Sequence, residues 1–269
     1  MNTPVKSERL HLAYLDGVRA LAAFVVVASH AYLTVFPFWG QKHPTPLVAG
    51  LSAWMLFGHF SVSLFIVISG FCLMLPVIRN GGEMKGGMKT FFKRRARRIL
   101  PPYYLSVALS WLLIVLLVGT KTNTHWDLSI PITKMGWISH LLMFQNWMPL
   151  EVYAQINHAH WSIALECQIY LLFPLLVLLW RRVGGITTAI IATVLGYGIL
   201  ITLILLYHNF TDACPHYIGL FGIGMLAASI GYDPKMREKG WHERRFWIPT
   251  AFLLGGALLV GNMVLKERA

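Results

Sequence analysis

Apolar residues fall in long uninterrupted runs along this chain, and polar residues collect in short segments between them. The runs cover Ala20–Phe38, Leu51–Ile78, Leu100–Gly119, Ser162–Trp180, Ile186–Tyr207, Pro215–Gly231 and Phe246–Leu265. A helix needs about 20 mostly apolar residues to cross a bilayer. The pattern therefore predicts an all-α fold, a polytopic bundle of about seven transmembrane helices forming one domain over residues 1–269. Gly136–Trp147 is also apolar and aromatic but too short to span, which predicts a re-entrant or interfacial piece. Trp137, Trp147 and Trp161 suit the membrane interface, where an indole keeps its body in lipid and its N–H in water.

Composition agrees with this reading. Of 269 residues, 56% are hydrophobic and only 13% are charged, about half of the roughly 25% usual in soluble domains. The formal charge of +12 would suit a nucleic-acid binder were it not distributed by topology. With the N-terminus in the cytoplasm, most of the 23 basic residues fall in inside segments, as the positive-inside bias requires. Only Lys42, Lys121 and Lys134 fall in outer loops. Nucleic acid is excluded as a partner on that ground, and the lipid bilayer is the expected surround. A multi-pass cell-membrane location follows. Cys72, Cys167 and Cys214 fit neither a disulfide framework nor a metal motif, and the histidines lack zinc spacing, so no metal is expected. Arg19 at the start of the first run and His30 at the would-be cleavage site argue against a cleaved signal peptide.

Ionisable groups at membrane depth cost at least a few kcal/mol each and so mark function. The first helix carries Asp16 and Arg19 just ahead of its apolar run and His30 within it. Arg19 and His30 are eleven positions apart, about three turns and ~16 Å of rise, and return to within roughly 20° of one face. That face shows a cation near its inner end and an imidazole deeper. The second cluster, Lys93-Arg94-Arg95-Ala96-Arg97-Arg98, leads into a span with Arg95 and Arg98 on one face. Arginine forks suit phosphate oxygens. The third is His158-Ala159-His160-Trp161-Ser162, followed by Glu166 about one turn into a span. A buried carboxylate needs a partner, and a His–Glu pair between helices would orient an imidazole as a general base.

These segments together resemble acyltransferase family 3. Tyr14-Leu15-Asp16-Gly17-Val18-Arg19 followed by His30 is similar to the family's first helix, and Val62–Phe71 to its second. Arg95–Pro101 resembles its paired-arginine motif, and Trp161-Ser162-Ile163-Ala164-Leu165-Glu166 with Tyr170 and Pro174 its Trp-Ser-Leu…Glu…Tyr…Pro block. The four motifs occur in the family's order over roughly residues 10–180. The resemblance implies transfer of an acyl group, commonly acetyl, from cytoplasmic acyl-CoA to a hydroxyl of an extracytoplasmic glycan or lipid-linked sugar. It assigns two catalytic residues, His30 as base or acyl relay and Glu166 to position or polarise groups near the histidine. Arg19, Arg95 and Arg98 would bind the donor, and Asp16, Trp161, Ser162 and Tyr170 the substrate. Acyl-CoA would be a co-substrate, with no tightly bound cofactor, and the membrane a bacterial plasma membrane.

Two positions depart from the block. Cys167 stands where a second acid is common, and Ile169 where phenylalanine is. Family members carry about ten helices against about seven candidate spans here, so a C-terminally short version is expected. Two other readings use the same buried ions: a transporter or flippase of glycan precursors, and an inactive member of the family.

Overall fold

The computed structural model describes residues 12–36, 43–119, 124–207 and 213–240. Among them there is no strand. The helices are α1 (Ala13–Val35), α2 (Pro46–Ser52), α3 (Gly58–Arg79), α4 (Gly87–Leu113), α5 (Lys134–Leu141), α6 (Leu150–Tyr153), α7 (Trp161–Val183), α8 (Gly185–Tyr207), α9 (Tyr217–Tyr232) and α10 (Pro234–Glu238). Five stretches are long and apolar enough to cross a membrane: Ala13–Val35, Pro46–Arg79, Gly87–Val118, His158–Val183 and Gly185–Leu206. They match the first five sequence-predicted spans. The sixth corresponds to α9, a shorter apolar helix of 16 residues. The seventh, at 246–265, lies outside the described residues.

Large apolar side chains such as Phe24, Leu105, Leu116, Leu175, Val194 and Leu205 point outward. In water such a surface would be an aggregation patch, whereas in a bilayer it is a solvated one. The protein is a multi-pass membrane protein.

Packing between helices inside lipid relies on close contact rather than on hydrophobic burial, and small residues permit that contact. In this chain α3 and α9 are the tightest pair. Gly70 faces the Phe221 carbonyl and Gly224 faces the Val67 carbonyl, and neither position leaves room for a Cβ. Alanine at either would push the two backbones apart. Ile66 and Met74 of α3, Phe173 of α7, and Phe221 and Met225 of α9 fill the shared core. Gly222 of α9 rests on Ala192 of α8, extending the same small-residue contact.

Helix boundaries follow local chemistry. Pro46 opens α2 behind Thr45, whose hydroxyl accepts from the Val48 N–H. Left-handed Gly81 and Gly82 end α3, and Gly184, also at positive φ, turns α7 directly into α8.

The outer segment 124–160 folds as short helical pieces. It reaches about halfway down the 32-residue stretch Gly87–Val118: the Tyr103 hydroxyl of α4 donates to the His140 carbonyl at 2.8 Å. Non-helical backbone at that depth is tolerated only inside protein, and Ser139, His140, Gln145 and Asn146 are all fully buried. Gln145 ties the segment down by donating to the Tyr103 hydroxyl and to the His160 carbonyl, each at 3.2 Å. This is the Gly136–Trp147 patch of the sequence, and it does not span.

Candidate active site

His30 sits near the outer end of α1, and its carbonyl accepts from the Thr34 hydroxyl at 2.8 Å. Its ring meets His158 edge-on, with centroids 5.1 Å apart and planes at 65°. The His30 Nδ1 and His158 Nε2 atoms are 3.4 Å apart. One of these nitrogens carries the proton and the other accepts it, according to tautomer.

His158 opens a short 3-10 turn ahead of α7. Asn157 fixes that turn, accepting from the Ala159 N–H at 3.0 Å while its amide donates to Ser110 of α4 at 3.0 Å. Ser162 closes it by donating to the Ala159 carbonyl at 3.2 Å. A cavity of about 250 Å³ opens beside the pair, lined by His30, Thr34, Trp126, Ser129, Asn157 and His158. An imidazole pair against such a space can exchange protons with a small reactant.

Glu166 occupies a different place. Its Oε1 accepts from the Ser69 hydroxyl of α3 at 2.9 Å and from the Tyr170 hydroxyl one turn along α7. The Ser69 and Tyr170 hydroxyls are 3.3 Å apart. The Arg95 guanidinium lies 5.7 Å above the Tyr170 ring. Two hydroxyl donors and a nearby cation are what a carboxylate at membrane depth needs. Eight residues separate His158 from Glu166, about 12 Å along a helix. The Glu166 carboxylate and the His30 ring thus have separate partners, and a direct His–Glu pair does not form.

Trp161 stacks on His59 of α3 at 5.1 Å and meets Tyr217 of α9 edge-on at 6.1 Å, so it joins three helices. Asp16 is exposed and Arg19 half-buried near the start of α1. On α4, Arg95 is half-buried while Arg94, Arg97 and Arg98 are exposed. A smaller cavity of about 90 Å³ between α3, α4 and α7 is lined by Lys85, Arg94 and Arg95, with Phe91 and Phe173. Among the described residues no three His, Cys, Asp or Glu side chains gather where a metal ion could bind.

Of the sequence-predicted residues, the structure brings Glu166, Tyr170 and Arg95 together in one node and places His30 in another; Asp16, Arg19, Arg98 and Trp161 belong to neither, and Ser162 stands in the turn that carries His158. Sequence reasoning missed His158 as the partner of His30 and Ser69 as the partner of Glu166. The signal for His158 was a polar His-Ala-His run placed directly before an apolar span.

Residues 12–266 match the acyltransferase domain family, acyltransferase family 3. The chain belongs to that family. Among curated relatives of this acyltransferase-3 chain is acyltransferase MdmB of Streptomyces mycarofaciens, 29% identical over 177 residues, which are 65% of this chain and 41% of the relative. Peptidoglycan O-acetyltransferase OatA of Listeria monocytogenes is 23% identical over 234 residues, 81% of this chain and 33% of the relative. O-acetyltransferase OatA of Staphylococcus aureus is 25% identical over 203 residues, 72% and 30% respectively. The acyltransferase-3 chain therefore spans less than half the length of these relatives. No solved structure matches it.

Proposed function

We propose that this protein is a membrane O-acyltransferase. It moves an acetyl group from cytoplasmic acyl-CoA to a hydroxyl of an extracytoplasmic glycan or lipid-linked saccharide, in a bacterial plasma membrane. The observation that carries the reading is the His30–His158 pair against a cavity, at the end of α1 remote from the arginines. The family membership and the names of the relatives support the reaction class.

A sugar hydroxyl is a weak nucleophile near neutral pH, and a neutral imidazole can activate it by taking its proton. With His30 Nδ1–H donating to His158, the His30 Nε2 lone pair is available. In the relay form, Nε2 attacks the thioester carbonyl, the C–S bond breaks and coenzyme A leaves as its thiol. The acceptor hydroxyl then attacks the acyl carbon. Its proton passes to the imidazole pair, the C–N bond breaks, and the ester is released with His30 restored. In the direct form, His30 takes the hydroxyl proton as the oxygen attacks the thioester carbonyl, the C–S bond breaks, and the proton passes to the departing coenzyme A thiolate. His158 accepts or returns a proton in either form.

The Lys85, Arg94 and Arg95 cavity suits the phosphates of the donor, since arginine forks match phosphate oxygens. Arg19 and Arg98 add positive charge toward the same side. Glu166 holds Ser69 and Tyr170 in place and so positions Arg95 through the Tyr170 ring. Asp16 on α1, with Trp161 and Ser162 at the start of α7, would frame the substrate path.

The test is release of acetyl from labelled acetyl-CoA by purified protein in liposomes, wild type against His30→Ala. Turnover lost in a folded His30→Ala protein is the expected result. Equal turnover in both, or none in a folded wild type supplied with candidate glycans, overturns the reading.

A further inference from the structure

Trp126 stands apart from the other described tryptophans, each of which has a partner for its ring or its N–H. Trp54 stacks on Phe24, Trp111 meets Trp137 edge-on, and Trp161 stacks on His59. The Trp147 indole donates to Gln168 at 2.8 Å, and the Trp180 indole to Ser229 at 3.0 Å. Among the described residues no ring packs on Trp126, and its indole N–H has no acceptor. It is nonetheless half-buried. Beside it lies the cavity of about 250 Å³ whose wall it shares with His30 and His158.

The backbone holds Trp126 in that wall. Its N–H donates to the Thr124 hydroxyl at 3.3 Å, at the head of the turn His125–Ser129. At the tail of the turn the carbonyl of buried Ser129 accepts from the Ile156 N–H at 3.1 Å. Ile156 leads straight into Asn157 and His158, so the turn that carries the indole is tied to the turn that carries the imidazole.

The rest of the wall sets the chemistry of the ligand. Among the described residues no Lys, Arg, Asp or Glu lines the cavity, so a phosphate or carboxylate would lose water there without a countercharge. The polar groups are neutral and offer both senses of hydrogen bond. Thr34 gives its proton to the His30 carbonyl and can still accept. Asn157 gives one amide hydrogen to Ser110 and has a second. The volume falls below the roughly 300–1,000 Å³ of sites for drug-sized ligands, which leaves out coenzyme A and admits about one ring. An uncharged single ring with an apolar face and a hydroxyl-bearing edge is a neutral pyranose.

We propose that Trp126 determines acceptor specificity, as the platform for one neutral sugar ring whose C–H face lies on the indole and whose hydroxyl points to His30 Nε2. The C–H bonds of a pyranose face carry the slight positive charge that the negative face of an indole attracts. The fate of that hydroxyl rests on the acyl-transfer reading. Occupancy of the cavity does not, and binding alone reads it.

The test is saturation-transfer NMR of the full chain in nanodiscs at about pH 8, above the ordinary imidazole pKa of ~6.5. The probes are methyl β-glucopyranoside and methyl β-glucuronide. Wild type is expected to pass saturation to the glucoside ring protons, one face more than the other, and to bind the glucuronide roughly tenfold more weakly. Trp126→Leu keeps apolar bulk without an aromatic face and should weaken glucoside binding roughly tenfold. Trp126→Phe keeps such a face and should retain most of the binding, while Thr34→Phe fills the cavity and should abolish it. No transfer to the glucoside in folded wild type overturns the proposal. So does equal glucoside binding by wild type and Trp126→Leu, or a glucuronide bound as tightly as the glucoside. Ring binding without turnover would leave the platform standing and the acyl-transfer reading fallen; turnover without ring binding would do the reverse.

Discussion

The His30 node and the Glu166 node are both polar, both made by residues from different helices, and both set among apolar spans. They differ in what is left over. At Glu166 the hydroxyls of Ser69 and Tyr170 turn inward to one carboxylate oxygen, and Arg95 covers the Tyr170 ring. At His30 the two rings share one contact at 3.4 Å, and a cavity of about 250 Å³ stands beside them. A buried polar group with every partner inside the protein is a fastener. One that keeps a lone pair next to open space can do chemistry.

Four substitutions sharpen that contrast or break it. His30→Ala should show the largest effect: a fall in kcat of about 10²–10⁴-fold, the usual worth of a positioned acid–base group, with thermal stability little changed. Labelled acetyl-CoA turnover and a melting curve on the same preparation measure both. A large drop in melting temperature with activity per folded molecule preserved would make His30 the fastener instead.

Glu166→Ala should do the reverse at its own node. It strands two buried hydroxyls, each costing about 1–3 kcal/mol, so the unfolding midpoint should fall markedly. The activity of the surviving folded fraction should be lowered through a raised KM for the donor, because Arg95 loses its support. His158→Ala should cut kcat by about tenfold or more and flatten the acid limb of the pH–rate profile, leaving the melting curve in place. A purely structural His158 would not move that limb. Tyr170→Phe should have the smallest effect, about 1 kcal/mol of stability, since Ser69 still donates to Glu166; denaturant unfolding in mild detergent reads it directly.

Much of this architecture could be read from the sequence, and what could not has a common cause. The five long spans follow from apolar run length alone, because the bilayer sets that length. Arg19 and His30 on one helix follow from the period of 3.6. Periodicity tells which face a residue occupies but not what lies opposite. The His30–His158 contact joins residues 128 positions apart, and Ser69 meets Glu166 across 97. The expected His–Glu pair failed for that reason: α7 presents Glu166 to α3, while the turn before α7 supplies the imidazole that meets α1. The Gly136–Trp147 patch was legible as too short to span. Its depth depends on Tyr103, Gln145 and His160 closing on one another, which no local pattern encodes.

Of the long helices, α1 is the least embedded: only Ala22 and Ser29 are buried in it. Ser29 is also packed closely on α3, since Gly58 leaves no space for a side chain against it. A rod held more firmly toward one end moves more at the other. Here Phe24 stacks on Trp54 and the Ser29 contact lies one residue from His30, while the less embedded inner end carries Asp16 and Arg19. Amide exchange should accordingly be faster over residues 13–21 than over 29–35. The inner half of α1 can then move while the imidazole stays in register with His158, so that one helix has a yielding end and a steady one.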